Sequence, residues 1–273
     1  FFKHYLQGYE GIFAPKKSSP CTKIGKEMGK AMLPDGVAIF YKSKSFKTIF
    51  SRLYGVSEKE KVDVAAAVVH LRRSQTGHSD MNDLIVVCTH LKSAKDMEGE
   101  VQRLKQIQYL ASEMLQYQEK VEQEIRKYIP IFIGCDLNAP PKDTKGFPPF
   151  TYASIVDDKL FKNLLQTYKE KNSKNAQSIN LNMKLYQKTY NKLRFTSAYK
   201  SLLGSEPKYT TWKKRKGGED KHTIDYLFFQ HFKGVVVTSV LNIPDERTVN
   251  RESLLPGWEY PSDHFAIMAS FEF

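Results

Sequence analysis

The chain has 273 residues, 41% of them hydrophobic and 26% charged, the composition of an ordinary globular protein with room for one large core or two small ones. No apolar run approaches the roughly 20 residues that a membrane-spanning helix needs, and three cysteines (Cys21, Cys88 and Cys135) fit neither a disulfide framework nor a metal motif. The net charge of +12 favours an anionic partner such as a nucleotide, a nucleic acid or a phospholipid head group, though scattered lysines account for the total equally well.

The opening, FFKHYLQGYEGIFAP, begins mid-pattern and without Met, as a fragment would. Residues 36 to 41, GVAIFY, follow the turn PDG and read as a buried strand. Residues 62 to 71 and 84 to 91, VDVAAAVVHL and LIVVCTHL, read as two neighbouring antiparallel strands joined by the polar loop RRSQTGHSDMND. From 97 to 128 the apolar spacing is near three and four, which predicts a long helix stopped at Pro130. The run IFIGCD at 131 to 136 is the next strand, so strand, helix and strand form an α/β unit. Residues 142 to 196 are rich in Lys, Asn and Gln and read as a helical insertion within a single domain. Then YTTW and TIDYLFF read as two strands joined by the basic loop KKRKGGEDK, and YPSDHFAIMASFEF as a turn and an alternating strand.

Four short stretches set polar groups beside apolar, strand-like runs: THLK with His90 and Lys92, GCDLN with Asp136 and Asn138, HTIDY with His222 and Asp225, and PSDH with Asp263 and His264. In a strand, positions two apart share a face, so Asp136 and Asn138 are expected to project together. Each stretch alone is an ordinary strand end or turn. Together they suit the hydrolysis of a phosphate ester. Carboxylates bind hard cations such as Mg²⁺ that bridge to phosphate. His90 and His264 can donate to phosphoryl oxygens as charge develops. Asp136 can orient or deprotonate a water, Asn138 can fix that carboxylate or the phosphate, and Asp225 can hold a histidine or a metal-bound water. Neither GxSxG, a P-loop nor GxGxxG is present, which disfavours serine hydrolase, ATP-driven and Rossmann chemistry.

In this order, THL, GCDLN, HTIDY and SDH resemble the endonuclease/exonuclease/phosphatase superfamily. The stretches GYEGIFAPKKSSPC, PDGVAIFY, SAYKSLLGSEPKYTTWK and YPSDH are similar to its deadenylase-like branch, most closely the nocturnin family, over nearly the whole chain outside 142 to 196. The resemblance implies a four-layer α/β sandwich, two mostly antiparallel sheets flanked by helices, and a Mg²⁺-dependent phosphoesterase. It implies that His90 and His264 contact the scissile phosphate, that Asp136 is the general acid/base with Asn138 beside the phosphate, and that Asp136, Asp225 and Asp263 serve the metal and histidine network. It also implies that Lys16 meets a substrate phosphate, with Lys92 a weaker candidate. Two departures accompany it. The family's Asn-bearing first strand and its metal-binding Glu would precede Phe1, so an N-terminal truncation is expected. The family's Arg four residues after the THL histidine is replaced by Ala94, with Lys95 beside it, and Lys lacks the bidentate geometry of Arg.

Three functions follow as expectations. The first is removal of the 2′-phosphate of NADP(H). The second is 3′-exoribonuclease action on poly(A) RNA, and the third is a binding protein on a catalytically impaired fold. A monomer is expected, in the cytoplasm, or in mitochondria if a removed presequence preceded Phe1.

Overall fold

The computed structural model describes the chain apart from residues 1, 75–81, 144–147, 173–178, 180, 216, 217, 233 and 251–253. Its centre is a six-stranded sheet, built from β3 (Phe46–Ser57), β4 (Val62–Arg73), β5 (Asp83–His90), β6 (Ile131–Asp136), β7 (Phe195–Ser197) and β10 (Asp225–Gln230) in the order β3-β4-β5-β6-β10-β7. Three ribbons accompany it: β1 (Tyr9–Pro15) with β2 (Gly36–Lys42), β8 (Thr211–Arg215) with β9 (Gly218–His222), and β11 (Val236–Val240) with β12 (Ala269–Glu272). The helices are α1 (Phe2–Tyr5), α2 (Pro20–Glu27), α3 (Met97–Ile125), α4 (Phe150–Val156), α5 (Asp158–Lys171), α6 (Met183–Leu193), α7 (Ala198–Leu203) and α8 (Glu246–Asn250). Among the described residues no helix is long and apolar enough to cross a membrane.

The near-continuous apolar run of β4 is explained by burial on both faces. On one face, Val64, Ala66 and Val68 join Ile85, Val87, Ile131, Ile133, Tyr226 and Phe228 beneath the apolar stripe of α3 at Ile107, Leu110, Met114 and Val121. On the other, Ala67, Val69 and Leu71 meet Ala14, Val37, Ile39 and Tyr41 of the β1-β2 ribbon. Farther along that face, Phe229 packs against Val237, with Leu227 and Phe271 alongside. The mixed α/β layering agrees with expectation, but the layer behind the main sheet consists of separate two-stranded ribbons among the described residues. Between 142 and 196, α5 and α6 pack Phe161, Leu165 and Tyr186 against Leu104 of α3 and Phe150 of α4, so these helices extend the helical layer.

Helix α3 starts where Asp96 accepts from the Gly99 amide at 2.7 Å, with Glu98 and Glu100 in the first turn facing the helix dipole. It ends at Arg126 in the left-handed region. The parallel pairing of β5 with β6 needs such a long crossover. The predicted hairpin of β4 and β5 is present, but its connecting loop falls on 75–81, outside the described residues. The predicted pairing of YTTW with TIDYLFF is not. Thr211–Arg215 instead pairs with Gly218–His222, placing Lys213 opposite Asp220. Most of what reads as a loop is therefore strand.

Candidate active site

Strand register builds the site. His90 pairs with Asp136 across the parallel β5-β6 ladder, and Asp136 pairs with Asp225 across the antiparallel β6-β10 ladder. Three polar residues from distant parts of the sequence therefore stand in one row at one end of the central sheet. Their alternate neighbours Leu91, Cys135 and Tyr226 belong to the core under α3. The row itself faces the β1-β2 side, where Lys16 follows the last residue of β1.

His264 closes the row. Its main chain bridges to Thr211, and its Nδ1 lies 2.9 and 3.1 Å from the Asp225 carboxylate oxygens. Ligand atoms of Asp136, Asp225 and His264 all lie within 4.8 Å of one another. Thr210, fully buried, locks the arrangement. Its hydroxyl donates to Asp225 Oδ2 at 2.6 Å and accepts from the Ile224 and Asp225 amides at 3.1 Å each.

The two histidines are shifted in opposite directions. Lys16 Nζ lies 3.1 Å from His90 Nδ1 and 2.8 Å from Asp35 Oδ2. An ammonium can only donate, so Nδ1 of His90 accepts and the ring proton sits on Nε2. Burial, reinforced by the Lys16 charge, brings the His90 pKa down to about 4, so the ring is neutral at neutral pH. For His264, burial opposes the charged ring, but the hydrogen bond and charge of Asp225, with Asp136 and Asp263 behind it, raise the pKa above its usual value. Asp136 is pushed up to about 6 by burial and then by the charge of Asp225, against the pull of His264 and the Asn138 amide. Two carboxylates facing each other with that much uncompensated negative charge suit a hard divalent cation.

The other predicted residues sit as follows. The Asn138 backbone amide donates to Asp136 Oδ1 at 3.0 Å, but its side chain donates to Leu91 O at 3.1 Å. Strand alternation fails for this pair because β6 ends at Asp136 and Asn138 is left-handed, with φ 50°. Asp263 lies next to His264, yet its carboxylate is paired with Lys213 at 2.6 Å rather than standing in the Asp136, Asp225 and His264 group. Burial opposes ionisation there, but Lys213 holds the Asp263 pKa below the ordinary range. The Lys92 side chain lines a separate pocket with Lys61, Lys105 and Gln102 on the α3 side. Lys95 pairs with Asp220 at 2.6 Å, and His222 also faces Asp220.

Several supporting residues escaped the sequence reading. Besides Thr210 and Asp35, Arg103 donates to the carbonyls of Lys92 and Ala94 at 2.8 and 2.7 Å, holding the turn after His90. Its charge is met by Glu100, both side chains being 1% exposed. Gln106 spans from the Lys92 amide to the Asp63 carbonyl. A charged pair spaced i, i+3 reads as an ordinary solvated helix face, so only burial distinguishes it.

No family model matches the chain. Mouse (Mus musculus) nocturnin is 30% identical over 272 residues, spanning 97% of this chain and 50% of that protein. The chain thus covers about half the length of this relative. The human nocturnin catalytic domain with bound sulfate anion superposes with a TM-score of 0.58 at 25% identity, covering 99% of this chain and 75% of that one. The chain has the fold of the endonuclease/exonuclease/phosphatase superfamily and is similar to nocturnin over nearly all of its length. ANGEL2, described as a 2′,3′-cyclic phosphatase, shares the superfamily fold at 18% identity with a TM-score of 0.63, covering 99% and 83% of the two chains. Within the superfamily, the nocturnin likeness extends through the stretches that carry Lys16, His90, Asp136, Asp225 and His264.

Proposed function

We propose that this protein is a metal-dependent phosphoester hydrolase acting on a nucleotide, with the 2′-phosphate of NADP(H) as its substrate. The observation that carries the reading is the row His90, Asp136 and Asp225 closed by His264, which brings two carboxylates and two imidazoles together at one end of the sheet. Asp136 and Asp225 would hold Mg²⁺, which when bound supplies charge stabilisation at a phosphoryl oxygen.

The chain's own groups divide the remaining work. Neutral His90 presents Nε2–H, and His264, whose pKa Asp225 raises, presents its own Nε2–H when protonated, so phosphoryl oxygens gain donors as their charge grows. Asp136, ionised above about pH 6 and held by the Asn138 amide, accepts the proton of the attacking water. Asp225 favours the protonated form of His264 and keeps the ring correctly turned. Lys16 fixes the His90 tautomer and adds positive charge where a phosphate would enter.

A 3′-exoribonuclease acting on poly(A) uses the same groups, and the net charge of +12 favours that longer polyanion. The deciding experiment follows phosphate release from NADPH with Mg²⁺ beside shortening of a labelled poly(A) strand. Phosphate release that falls by about 10³-fold in Asp136→Ala supports the first reading. Shortened poly(A) with NADPH untouched replaces it with the second. Inactivity towards both would sink the enzyme reading and leave the binding-protein alternative.

A further inference from the structure

We infer that Asp35 is a positioning residue for the hydrolysis proposed above, and that it tethers the Lys16 ammonium to His90 and withholds it from the phosphate. The inference rests on that reading of the site. In the sequence Asp35 is only the middle of the turn PDG before a strand. The fold sets it directly beside Lys16. The β1-β2 ladder ends where Pro15 faces Gly36, so the next residues outward are Lys16 and Asp35. Lys16 N donates to Asp35 O at 2.8 Å, which holds the two side by side.

The carboxylate has a rigid base and the ammonium does not. The Asp35 amide donates to Ser19 Oγ at 3.0 Å, and the same oxygen accepts from the Cys21 amide at 3.2 Å where α2 begins. Ser19 is buried, so Asp35 is pinned through both its N–H and its C=O. Lys16 carries its charge on a flexible stem with many rotamers, and ordering that stem has an entropic cost. The 2.8 Å bond to Asp35 Oδ2 joins two full charges and fixes it. From there Nζ reaches His90 Nδ1 at 3.1 Å. The support mirrors the opposite side of the site, where Thr210 braces Asp225 and Asp225 turns His264.

An ammonium has three hydrogens. Asp35 and His90 take two and leave one for a phosphoryl oxygen. Without the Asp35 charge, an incoming phosphate is the strongest acceptor within reach, and a charged acceptor outcompetes a neutral imidazole. Nδ1 of His90 then faces water, and the ring proton is free to sit on either nitrogen. Nε2, 3.4 Å from Asp136 Oδ2, is the nitrogen whose proton the proposed reaction needs. Losing the tether therefore lowers turnover rather than binding. An ion pair that merely closed the end of the ribbon would contribute little and leave turnover alone, because both its side chains keep some contact with water.

The test compares Asp35→Asn, which keeps the side chain's shape, with Lys16→Met and with the double variant in phosphate release from NADPH with Mg²⁺. Asp35→Asn should lower kcat about 10- to 100-fold with KM no higher than the parent's. The double variant should lose no more than Lys16→Met alone, because Asp35 acts through Lys16. A second measurement takes the nitrogen NMR shifts of the His90 ring without substrate, at about pH 8, where the ring is neutral. The parent should show a bare Nδ1 and a protonated Nε2, and both Asp35→Asn and Lys16→Met should move the two shifts towards each other as the tautomers mix. An unmoved tautomer in Asp35→Asn, losses that multiply in the double variant, or a raised KM at unchanged kcat overturns the inference. The ring shifts need no turnover. A parent inactive towards NADPH and poly(A) therefore removes the proposed function, while a displaced tautomer in Asp35→Asn still upholds the tether.

Discussion

Replacing Thr210 with Val keeps the side chain's shape and deletes one oxygen at the centre of the site. That oxygen donates to the Asp225 carboxylate at 2.6 Å and accepts from two amides at 3.1 Å, in a residue with no exposed surface. A hydrogen bond to a charged group contributes about 1.5–3 kcal/mol, and each buried amide left without its partner costs about 1 kcal/mol or more. The added methyl recovers about 1 kcal/mol of burial. Thr210→Val should therefore unfold about 3 kcal/mol more easily in urea, at unchanged m-value. With Asp225 no longer braced, His264 loses its orienting partner, and turnover should fall about 10- to 100-fold, as for other groups that act through a ligand. Thr210→Ser keeps the hydroxyl and should stay within about 1 kcal/mol of the parent, losing only a methyl. A Val variant within about 0.5 kcal/mol of the parent and fully active would refute this account of the site's support.

Further outcomes can be checked in the same way. Arg103→Leu leaves the buried Glu100 carboxylate without its partner and frees the turn after His90, so stability should drop by about 3–5 kcal/mol in equilibrium unfolding, and Arg103→Lys should not restore it. His70 is buried between Tyr117 Oη at 2.9 Å and Asp83 at 3.0 Å, and burial, opposed by Asp83, lowers its pKa. The unfolded chain then binds the proton more readily, so this contribution is complete above about pH 6.5 and is lost as the pH falls from there towards the lowered folded value. His70→Gln should flatten that part of the stability curve, and an unchanged acid limb would count against it. Saturating Mg²⁺ at about 100 times its dissociation constant should stabilise the parent by about 2.7 kcal/mol and leave Asp225→Ala unmoved in a thermal melt. Equal shifts in both would place the metal elsewhere.

Much of the site can be read in the sequence because strand ends announce themselves. Apolar runs stopping at His90 and Asp136, and one starting at Asp225, are local signals, and so is the helical spacing from 97 onward, although the helix ends at Arg126 before Pro130 is reached. Their chemistry is also local, since carboxylates and imidazoles have only a few uses beside a phosphate. What local signals cannot hold is register and partnership. That His90, Asp136 and Asp225 share one row follows from two ladders formed by segments as much as 135 positions apart. That Asn138 turns its side chain to Leu91 follows from a left-handed backbone that strand periodicity does not foresee. The ribbon Thr211–Arg215 with Gly218–His222 forms although its composition reads as a loop, and its charged residues reach outside it, Lys213 to Asp263 and Asp220 to Lys95. The sequence by itself determined which residue types were available and where strands would begin and end, because burial and chain stiffness act over a few neighbours. Only the tertiary structure decided that Thr210 braces Asp225, that Lys16 sets the His90 proton and that Arg103 is a buried charge, because each of these depends on which distant groups share a space closed to water.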